Sequence, residues 1–469
     1  METNQHINEG GKFYKNFINS LLENKLVFLC NGKDKLNELK NSLSEIGINE
    51  VSDIKTVYEE KSKKVGQIID KFYLYSNAFF QELLKINNFS FFTGAGTSIP
   101  FGSESIRDIS KLEIDLNGNL KKLYNDMKEL FLDTNESKDF ESFLGFLFNI
   151  LTLLPYDKEL FDFKIEDVEN IRNLISEIKK QFVKKYCNPP YSGKIIEGYK
   201  KDNPFEIHQK LIRKILVRPF PLRRPNIFTL NYDLMFEKAM DKMGIVYVDG
   251  FVGTSERIFK PESFNFDFYY PATTTEGKVN RLERVIHLYK LHGSIDWIKV
   301  LSTPFNIMGI VKKFPEVLKK DEFLDLLVYP SPMKEGETIG FPYSEVFRRF
   351  ADVIQQPQSV LITLGYSFGD EHINRIIYES FSIPSFNLVI VGYTKKSIEE
   401  VRTKIGDDER VTYIGGESFG DFKNFVEKIL PSVSQMELEE RIIKTLKRLL
   451  PDEREQEEDI SKGGDNNEG

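Results

Sequence analysis

Four short segments of the sequence carry side chains whose types and spacing could do chemistry. The first reads FFTGAGTS over residues 91–98, where an apolar run ends in two closely spaced glycines. Glycines let the backbone approach a bound group that a Cβ atom would obstruct. The N–H groups at a helix start favour an anion such as phosphate. This segment therefore predicts a nucleotide-binding loop, although a plain strand-to-helix turn would use the same residues.

The other three segments end in polar side chains. They read TLNYD at residues 229–233, LHGS at 291–294 and LGYSFGDEHIN at 364–374. An amide such as that of Asn231 can position a water molecule without titrating, and a neutral histidine such as His292 can remove a proton near neutral pH. Structural roles remain open for both, because His292 could be a core histidine and Asn231 could be a strand-ending turn residue.

Apolar runs precede these segments, and each run ends abruptly in Gly, Asn or His. Runs without strict alternation are typical of strands buried on both faces of a parallel sheet, and helical patterns lie between several of them. We expect an α/β, Rossmann-like parallel sheet with its ligand outside the carboxyl ends of the strands. The predicted strands are Phe89–Gly94, Asn226–Asn231, Leu288–Gly293, Val360–Gly365, Asn387–Gly392 and Val411–Gly416.

Taken together and in this order, the four segments resemble the sirtuin superfamily. The sirtuin pattern runs Gly-Ala-Gly-x-Ser, Thr-Gln-Asn-x-Asp, His-Gly and Gly-Thr-Ser; here Leu230 replaces the Gln and Tyr366 replaces the Thr. The longer form Gly-Tyr-Ser-Phe-x-Asp-x-His-Ile is typical of a prokaryotic sirtuin-like branch whose members occur in anti-phage defence. The resemblance covers about residues 88–430.

The resemblance implies a role in NAD+ cleavage for each matching residue. Asn231 would orient the attacking water or the ribose, and His292 would act as general base. Asp233, with the backbone of Tyr232, would hold the nicotinamide carboxamide. The other binding residues would be Gly94, Ala95, Gly96 and Ser98 at the pyrophosphate, and Gly365 and Ser367 at the wall facing the phosphate and second ribose. Residues 415–417 match the sirtuin adenosine loop only loosely.

The implied activity is an NAD+ glycohydrolase that releases nicotinamide and ADP-ribose and, by depleting NAD+, acts as effector of abortive infection. The reaction centre is oxocarbenium-like, as in glycoside cleavage, and no metal is expected. Protein-deacylating sirtuins carry a four-Cys zinc module, which two isolated cysteines, Cys30 and Cys187, cannot supply. Water is therefore the simplest acceptor. A protein deacylase, an ADP-ribosyltransferase and a non-catalytic NAD-binding assembly subunit remain alternatives.

Composition and charge restrict the partners and the compartment. The net charge of −8 argues against a general nucleic-acid binder. The polar amino terminus, and an apolar stretch at 143–154 that is too short to span a bilayer, predict a cytoplasmic protein without membrane contact. The resemblance further implies a gated homo-oligomer, or a complex with a partner defence protein such as a HerA-type ATPase or an Argonaute.

The pattern along the chain divides it into four parts. Residues 1–88 are predicted as a mainly helical extension, and 89–430 as the NAD-binding catalytic domain with a helical insertion at 111–222. A C-terminal helix is expected at 431–451, and a disordered acidic tail at 452–469.

Several polar residues near these motifs fit structural roles as well as functional ones. Asp370 fits a helix N-cap, with His372 and Asn374 in the helix that it starts, and Tyr366 is expected to pack. The other two internal histidines, His208 and His287, receive no functional role.

Overall fold

The computed structural model describes residues 13–103, 115–116, 118–135, 140–153, 165–186, 195–196, 199, 202–271, 279–313 and 342–434. The strands are β1 (Val27–Cys30), β2 (Lys33–Asp34), β3 (Asn88–Thr93), β4 (Asn226–Thr229), β5 (Val246–Val248), β6 (Phe251–Val252), β7 (Arg257–Phe259), β8 (Tyr269–Pro271), β9 (Val279–Arg281), β10 (Val285–Lys290), β11 (Trp297–Lys299), β12 (Ile310–Lys312), β13 (Ser359–Leu364), β14 (Phe386–Gly392) and β15 (Val411–Gly415).

Helices connect and cover these strands. Residues 13–22 are helical. The α-helices that follow span Leu36–Glu45, Asp53–Leu84, Gly118–Thr134, Phe140–Leu153, Ile165–Tyr186, Glu206–Leu216, Met235–Met243, Tyr343–Ile354, Glu371–Glu379, Lys395–Ile405, Glu417–Gly420 and Phe422–Asn424, and a π-helix covers Phe425–Ile429.

Nine strands form one mixed sheet in the order β2-β1-β15-β14-β13-β3-β4-β10-β5. Every neighbouring pair from β15 to β5 is parallel, whereas β1 is antiparallel to β15 and β2 is antiparallel to β1. The chain proceeds from β3 through β4 toward one edge and later from β13 toward the other. The switch point between β3 and β13 is where open α/β sheets form their ligand crevice. The predicted α/β, Rossmann-like fold is confirmed.

The central strands are buried along their whole length, as their continuous apolar runs predicted. All six residues of β3 and all six of β13 are buried. Successive side chains of a strand point to opposite faces, so Phe91 packs into the core under the helices Asp53–Leu84 and Glu206–Leu216. Its neighbour Phe92 packs into the second core, under the helix Tyr343–Ile354. The two cores hold the strand ends, and therefore the loops that follow them, in fixed positions.

The amino-terminal segment extends the sheet. Val27 pairs with Gly415, so that β1 covers the β15 edge. The ring of Phe28 lies 5.4 Å from that of Phe72 on the helix Asp53–Leu84, and Phe72 lies 5.8 Å from Phe419. Residues 27–34 thus contribute β1 and β2 within a segment that was expected to be mainly helical.

A third hydrophobic cluster lies in the long connection between β3 and β4. The helices Gly118–Thr134, Phe140–Leu153 and Ile165–Tyr186 bury a common set of apolar side chains. Leu234 and Ile295 belong to the same cluster, and Tyr232 packs against it. These three residues come from the loops after β4 and β10, so the helical insertion contacts the segments that carry Asp233 and His292.

Two smaller sheets flank the large one. The first has the order β11-β12-β7-β6, and the second is the hairpin of β8 and β9. Within the residues that the structure describes, no helix is both long enough and apolar enough to cross a membrane. Except for residues 431–434, the predicted helix at 431–451 and the predicted tail at 452–469 lie outside the described residues.

Candidate functional site

The glycine loop after β3 packs directly against the loop after β13. Gly94 N–H donates to the carbonyl of Leu364, and Gly96 N–H donates to that of Gly365, both at 3.1 Å. A Cβ atom on Gly94 would lie 2.5 Å from the Gly365 carbonyl oxygen, and one on Gly96 would lie 2.6 Å from the Gly365 Cα. Gly365 itself has a φ of +68°. Glycine is therefore required at all three positions for two backbones to meet at the switch point.

Several backbone N–H groups of the glycine loop already donate hydrogen bonds to other groups of the protein. The turn continues as a short 3₁₀ segment, Ala95–Thr97. Thr97 N–H donates to the Gly94 carbonyl, and Ser98 N–H donates to that of Ala95. Ala95 is the exposed residue of the loop, whereas Gly94 and Ser98 are buried. The assignment of Gly94, Ala95, Gly96 and Ser98 to pyrophosphate binding stays a prediction.

Asn231, directly after β4, lies at the centre of a buried hydrogen-bond network. Its side-chain Nδ2 donates to Thr97 Oγ1 at 3.0 Å and to Ser98 Oγ at 2.8 Å. Thr97 donates its own hydroxyl proton to the Gly94 carbonyl, and Ser98 donates its proton to Asp233 Oδ2 at 2.6 Å. Both hydroxyl protons are thus committed, so the amide must present its N–H₂ group to them. Among the residues that the structure describes, no donor to the carbonyl oxygen of Asn231 is seen.

Asp233 is held from three directions. Its Oδ2 accepts from Ser98, and its Oδ1 accepts from the backbone N–H of Met235 at 3.0 Å. The ammonium group of Lys290, at the end of β10, donates to the backbone carbonyl of Asp233. Lys290 also pairs with Glu237 at 3.3 Å, with both side chains buried. Lys290 therefore ties the loop after β4 to the strand that leads into His292.

His292 follows β10 and is 7 % exposed. Gly293, at a φ of +87°, turns the chain directly after it. His292 Nε2 lies 3.3 Å from Asp370 Oδ2, and this contact does not reach hydrogen-bond geometry, since Nε2 has no hydrogen-bond partner among the described residues. The ring centroids of Tyr232 and His292 are 6.3 Å apart, so the loops after β4 and β10 are adjacent.

The segment after β13 places the remaining predicted residues. Ser367 is exposed, and Gly365 is half-buried against the glycine loop. Tyr366 does more than pack: its one hydroxyl proton is shared between Asn374 Oδ1 at 2.9 Å and the Asp370 carbonyl at 3.1 Å. Asp370 caps the helix Glu371–Glu379, as its position before that helix predicted.

The structure brings together Ser98, Asn231 and Asp233 by direct hydrogen bonds. The backbone carbonyl of Tyr232 accepts from Ile295 N–H at 3.0 Å, so it stabilises the turn after His292. Sequence reasoning missed Thr97, Lys290 and the contact of Asp370 with His292. Thr97 and Asp370 lie inside the recognised motifs, whereas nothing local marks Lys290, whose partners come from another strand.

A cavity of about 130 Å³ lies away from this network. It is lined by Phe101, Tyr199, Lys210, Lys423 and Glu427, among others, and by none of the predicted site residues. Lys210 already pairs with Glu427 at 2.6 Å inside it. The candidate site is therefore assigned from the converging strand ends. Within the described part of the chain, no group of three or more His, Cys, Asp or Glu residues could hold a metal ion.

Comparison with known proteins finds a family match for part of the chain. No curated protein matches the chain. Residues 225–410 match the family model described as a SIR2-like domain. The matched region contains Asn231, His292 and Asp370, and the fold brings the glycine loop at 94–98 against it from outside the match. The match over residues 225–410 supports a sirtuin-like fold, and SIR2-like domains use NAD+ as substrate.

Proposed function

We propose that this protein is an NAD+ glycohydrolase. The bond between the anomeric carbon of the ribose and the nicotinamide nitrogen breaks, and its electron pair leaves with nicotinamide, which becomes neutral. The oxygen of water forms the new bond to the anomeric carbon, giving ADP-ribose. One proton of that water passes to the general base and then to solvent, so the products are nicotinamide, ADP-ribose and a proton.

The orientation of Asn231 is the observation that carries this proposal. Its N–H₂ group is fixed by Thr97 and Ser98, so its carbonyl oxygen can accept a hydrogen bond from a water molecule or a ribose hydroxyl. The network is buried, with Thr97 at 0 % and Ser98 at 1 % exposure. A buried amide whose N–H₂ group makes two hydrogen bonds is held rigidly. Rigid placement of a nucleophile lowers the reaction barrier even when the placing group is neither an acid nor a base.

His292 supplies the proton acceptor. It lies on the strand end next to that of Asn231, because β10 is the parallel neighbour of β4. Imidazole changes protonation near neutral pH and can take a proton from water or from a ribose hydroxyl as the bond to carbon forms. The departing nicotinamide is neutral, so the site needs no strong acid on the leaving-group side.

Water is the acceptor that suits this chain best. A protein-deacylating sirtuin forms its acyl-lysine groove with a four-Cys zinc module, and the sequence holds only two cysteines. The proposal extends to an effector role in anti-phage defence, in which NAD+ depletion stops the infected cell. Activity would then be gated by assembly, as a homo-oligomer or with a partner such as a HerA-type ATPase or an Argonaute.

The test is NAD+ turnover by the purified protein, with and without the product of its neighbouring gene. Nicotinamide and ADP-ribose should appear in equal amounts, and Asn231→Ala and His292→Ala should each abolish release. Asn226→Ala and His287→Ala are matched controls, because these residues lie on β4 and β10 away from the carboxyl ends of the strands. Absence of nicotinamide release in every assembled state would contradict the proposal, and full activity of the Asn231→Ala, His292→Ala double variant would contradict the residue roles.

A further inference from the structure

The two carboxylate oxygens of Asp370 make different contacts, one with the helix that follows and one with His292. Oδ1 accepts hydrogen bonds from the backbone N–H groups of His372 at 3.1 Å and Ile373 at 3.3 Å, which caps the helix Glu371–Glu379. Oδ2 lies 3.3 Å from His292 Nε2. Both side chains are buried, at 8 % exposure for His292 and 7 % for Asp370. A cap alone would need only the first oxygen, and exposed serine or asparagine caps helices equally well.

The backbone before Asp370 is held in a costly conformation. Phe368 has a φ of +55° although it is a buried phenylalanine. Left-handed backbone is rare for bulky residues and persists where the surrounding structure enforces it, commonly at functional sites. Here Asn374 Nδ2 donates to the Phe368 carbonyl at 2.9 Å, and the Tyr366 ring packs 4.7 Å from the Phe368 ring.

These contacts form a brace around Asp370. Tyr366 shares its hydroxyl proton between Asn374 and the Asp370 carbonyl, and Asn374 N–H donates to the same carbonyl at 3.0 Å. The brace fixes the backbone of Asp370, from which the carboxylate projects. It uses three motif residues, Tyr366, Asp370 and Asn374, to which the proposed reaction gives no direct role.

We propose that Asp370 is a positioning residue for His292. When the ring turns so that this 3.3 Å contact reaches hydrogen-bond geometry, the carboxylate accepts the Nε2 proton of the neutral ring, which leaves Nδ1 as the bare nitrogen that takes a proton during catalysis. The partner of one ring nitrogen sets the protonation of the other, and a buried carboxylate also stabilises the imidazolium once it forms. This inference rests on the proposed function for the direction of proton transfer, whereas the 3.3 Å approach of the two side chains is observed in the structure.

Asp370→Ser and Asp370→Asn separate the two roles of the carboxylate. Both residues cap helices well, so the melting temperature should stay close to that of the parent protein. Serine does not reach His292, and asparagine carries no charge to stabilise the imidazolium. We expect kcat to fall roughly 10²-fold in both variants, while KM for NAD+ changes little, because the residue acts through the base. Asparagine is nearly isosteric and keeps the test available if the serine variant folds poorly.

Thr394→Ala is the matched control for loss of a cap. Thr394 caps the helix Lys395–Ile405 by accepting from Ser397 N–H at 3.1 Å. This variant should lower the melting temperature without the loss of kcat. If Asp370 served only as a cap, Asp370→Ser and Asp370→Asn would retain the parent kcat, and that result would overturn the inference.

A second measurement does not depend on turnover. In the full-length protein labelled with ¹⁵N-histidine, the ring-nitrogen shifts of His292, assigned by difference from His292→Gln, report which nitrogen carries the proton. At a pH where the ring is neutral, we expect the proton on Nε2 in the parent protein and a mixture of tautomers in Asp370→Ser. The parent protein could release no nicotinamide and still differ from Asp370→Ser in its His292 tautomer. That result would support the pairing of Asp370 with His292 and contradict the proposed function. Unchanged shifts in Asp370→Ser would reject the pairing.

Discussion

Ser98 donates its hydroxyl proton to the carboxylate of Asp233 at 2.6 Å, and both residues are buried. The same hydroxyl oxygen accepts a hydrogen bond from Asn231. One serine of the glycine loop therefore sets the orientation of the amide that we propose to be catalytic. Through this contact, the loop after β3 orients the side chain of Asn231 in the loop after β4.

Ser98→Ala should reduce turnover through the orientation of Asn231. The amide loses one of its two acceptors, and a buried oxygen of Asp233 loses its donor, which costs about 1–3 kcal/mol of stability. We expect kcat to fall roughly 10- to 100-fold, as for a misplaced catalytic group. Ser90→Ala, at a buried serine on β3, the strand that precedes the glycine loop, is the control and should change kcat little. Steady-state nicotinamide release measures both, and equal kcat values would contradict the network's role.

Gly96→Ala should destabilise the protein by at least about 2 kcal/mol. The added Cβ would meet the Gly365 backbone at 2.6 Å, and two packed backbones cannot separate without strain. Gly66→Ala is the contrasting variant, because Gly66 lies inside the helix Asp53–Leu84 and its Cβ would make an ordinary 3.7 Å contact with Tyr14. That change should stabilise by about 0.5–1 kcal/mol. Urea unfolding measures both, and a neutral Gly96→Ala would show that the loop packing is loose.

Lys290→Met should be strongly destabilising, and a second substitution should recover much of the loss. Removing the ammonium leaves Glu237 buried without its partner at 3.3 Å, and breaking a buried pair typically costs about 3–5 kcal/mol. Lys290→Met combined with Glu237→Leu should be more stable than Lys290→Met alone. Lys396→Met breaks an exposed pair with Glu400 and should cost under about 1 kcal/mol. Thermal denaturation measures the stability of each variant. If the double variant loses the sum of the two single losses, the coupling of Lys290 with Glu237 is refuted.

His208 should make the fold sensitive to acid. Its ring is enclosed by Phe101, Phe236 and Phe422, and neither ring nitrogen has a hydrogen-bond partner among the described residues. Burial lowers the pKa of His208 to about 3. A folded-state pKa below the unfolded value of about 6.5 gives stability that is complete above pH 6.5 and is lost as pH falls toward 3.

His208→Phe tests this acid dependence. At pH 5 the charge-related loss from His208 is about 2 kcal/mol relative to pH 7.5, and the variant should lack it. The remaining acid dependence belongs to other groups, including His287, whose pKa burial lowers to about 4. Urea unfolding at the two pH values gives the difference. Parallel losses in both proteins would mean that His208 is not the acid-sensitive group.

The main sheet could be predicted from the sequence because its signal is local. Each of the six apolar runs from Phe89–Gly94 to Val411–Gly416 overlaps a strand of that sheet. Their parallel pairing follows from the intervening helices, and it places the ends of β3, β4, β10 and β13 on one side of the sheet. The approach of Asn231 to Ser98 was therefore foreseeable in outline from the positions of the motifs.

The partners of the site residues could not be read from local pattern. Lys290 looks like an ordinary strand residue, and its contact with the Asp233 carbonyl depends on the β4–β10 register. Asp370 was correctly predicted as a cap, but the approach of its second oxygen to His292 joins the segments after β13 and β10, which lie far apart in the sequence. The pairing of β1 with β15 joins segments near opposite ends of the described chain. Such contacts are set by three-dimensional packing of distant segments.

The position of β13 in the sheet also has a consequence for synthesis of the protein. It lies beside β3, yet it is made after β4 and β10. While translation proceeds, Asn231 and His292 exist before Gly365 can support the glycine loop and before Asp370 can reach the histidine. The site is thus completed late on the ribosome. For the NAD+ glycohydrolase that we propose, this order means that an unfinished polypeptide lacks the support from Gly365 and the contact with Asp370.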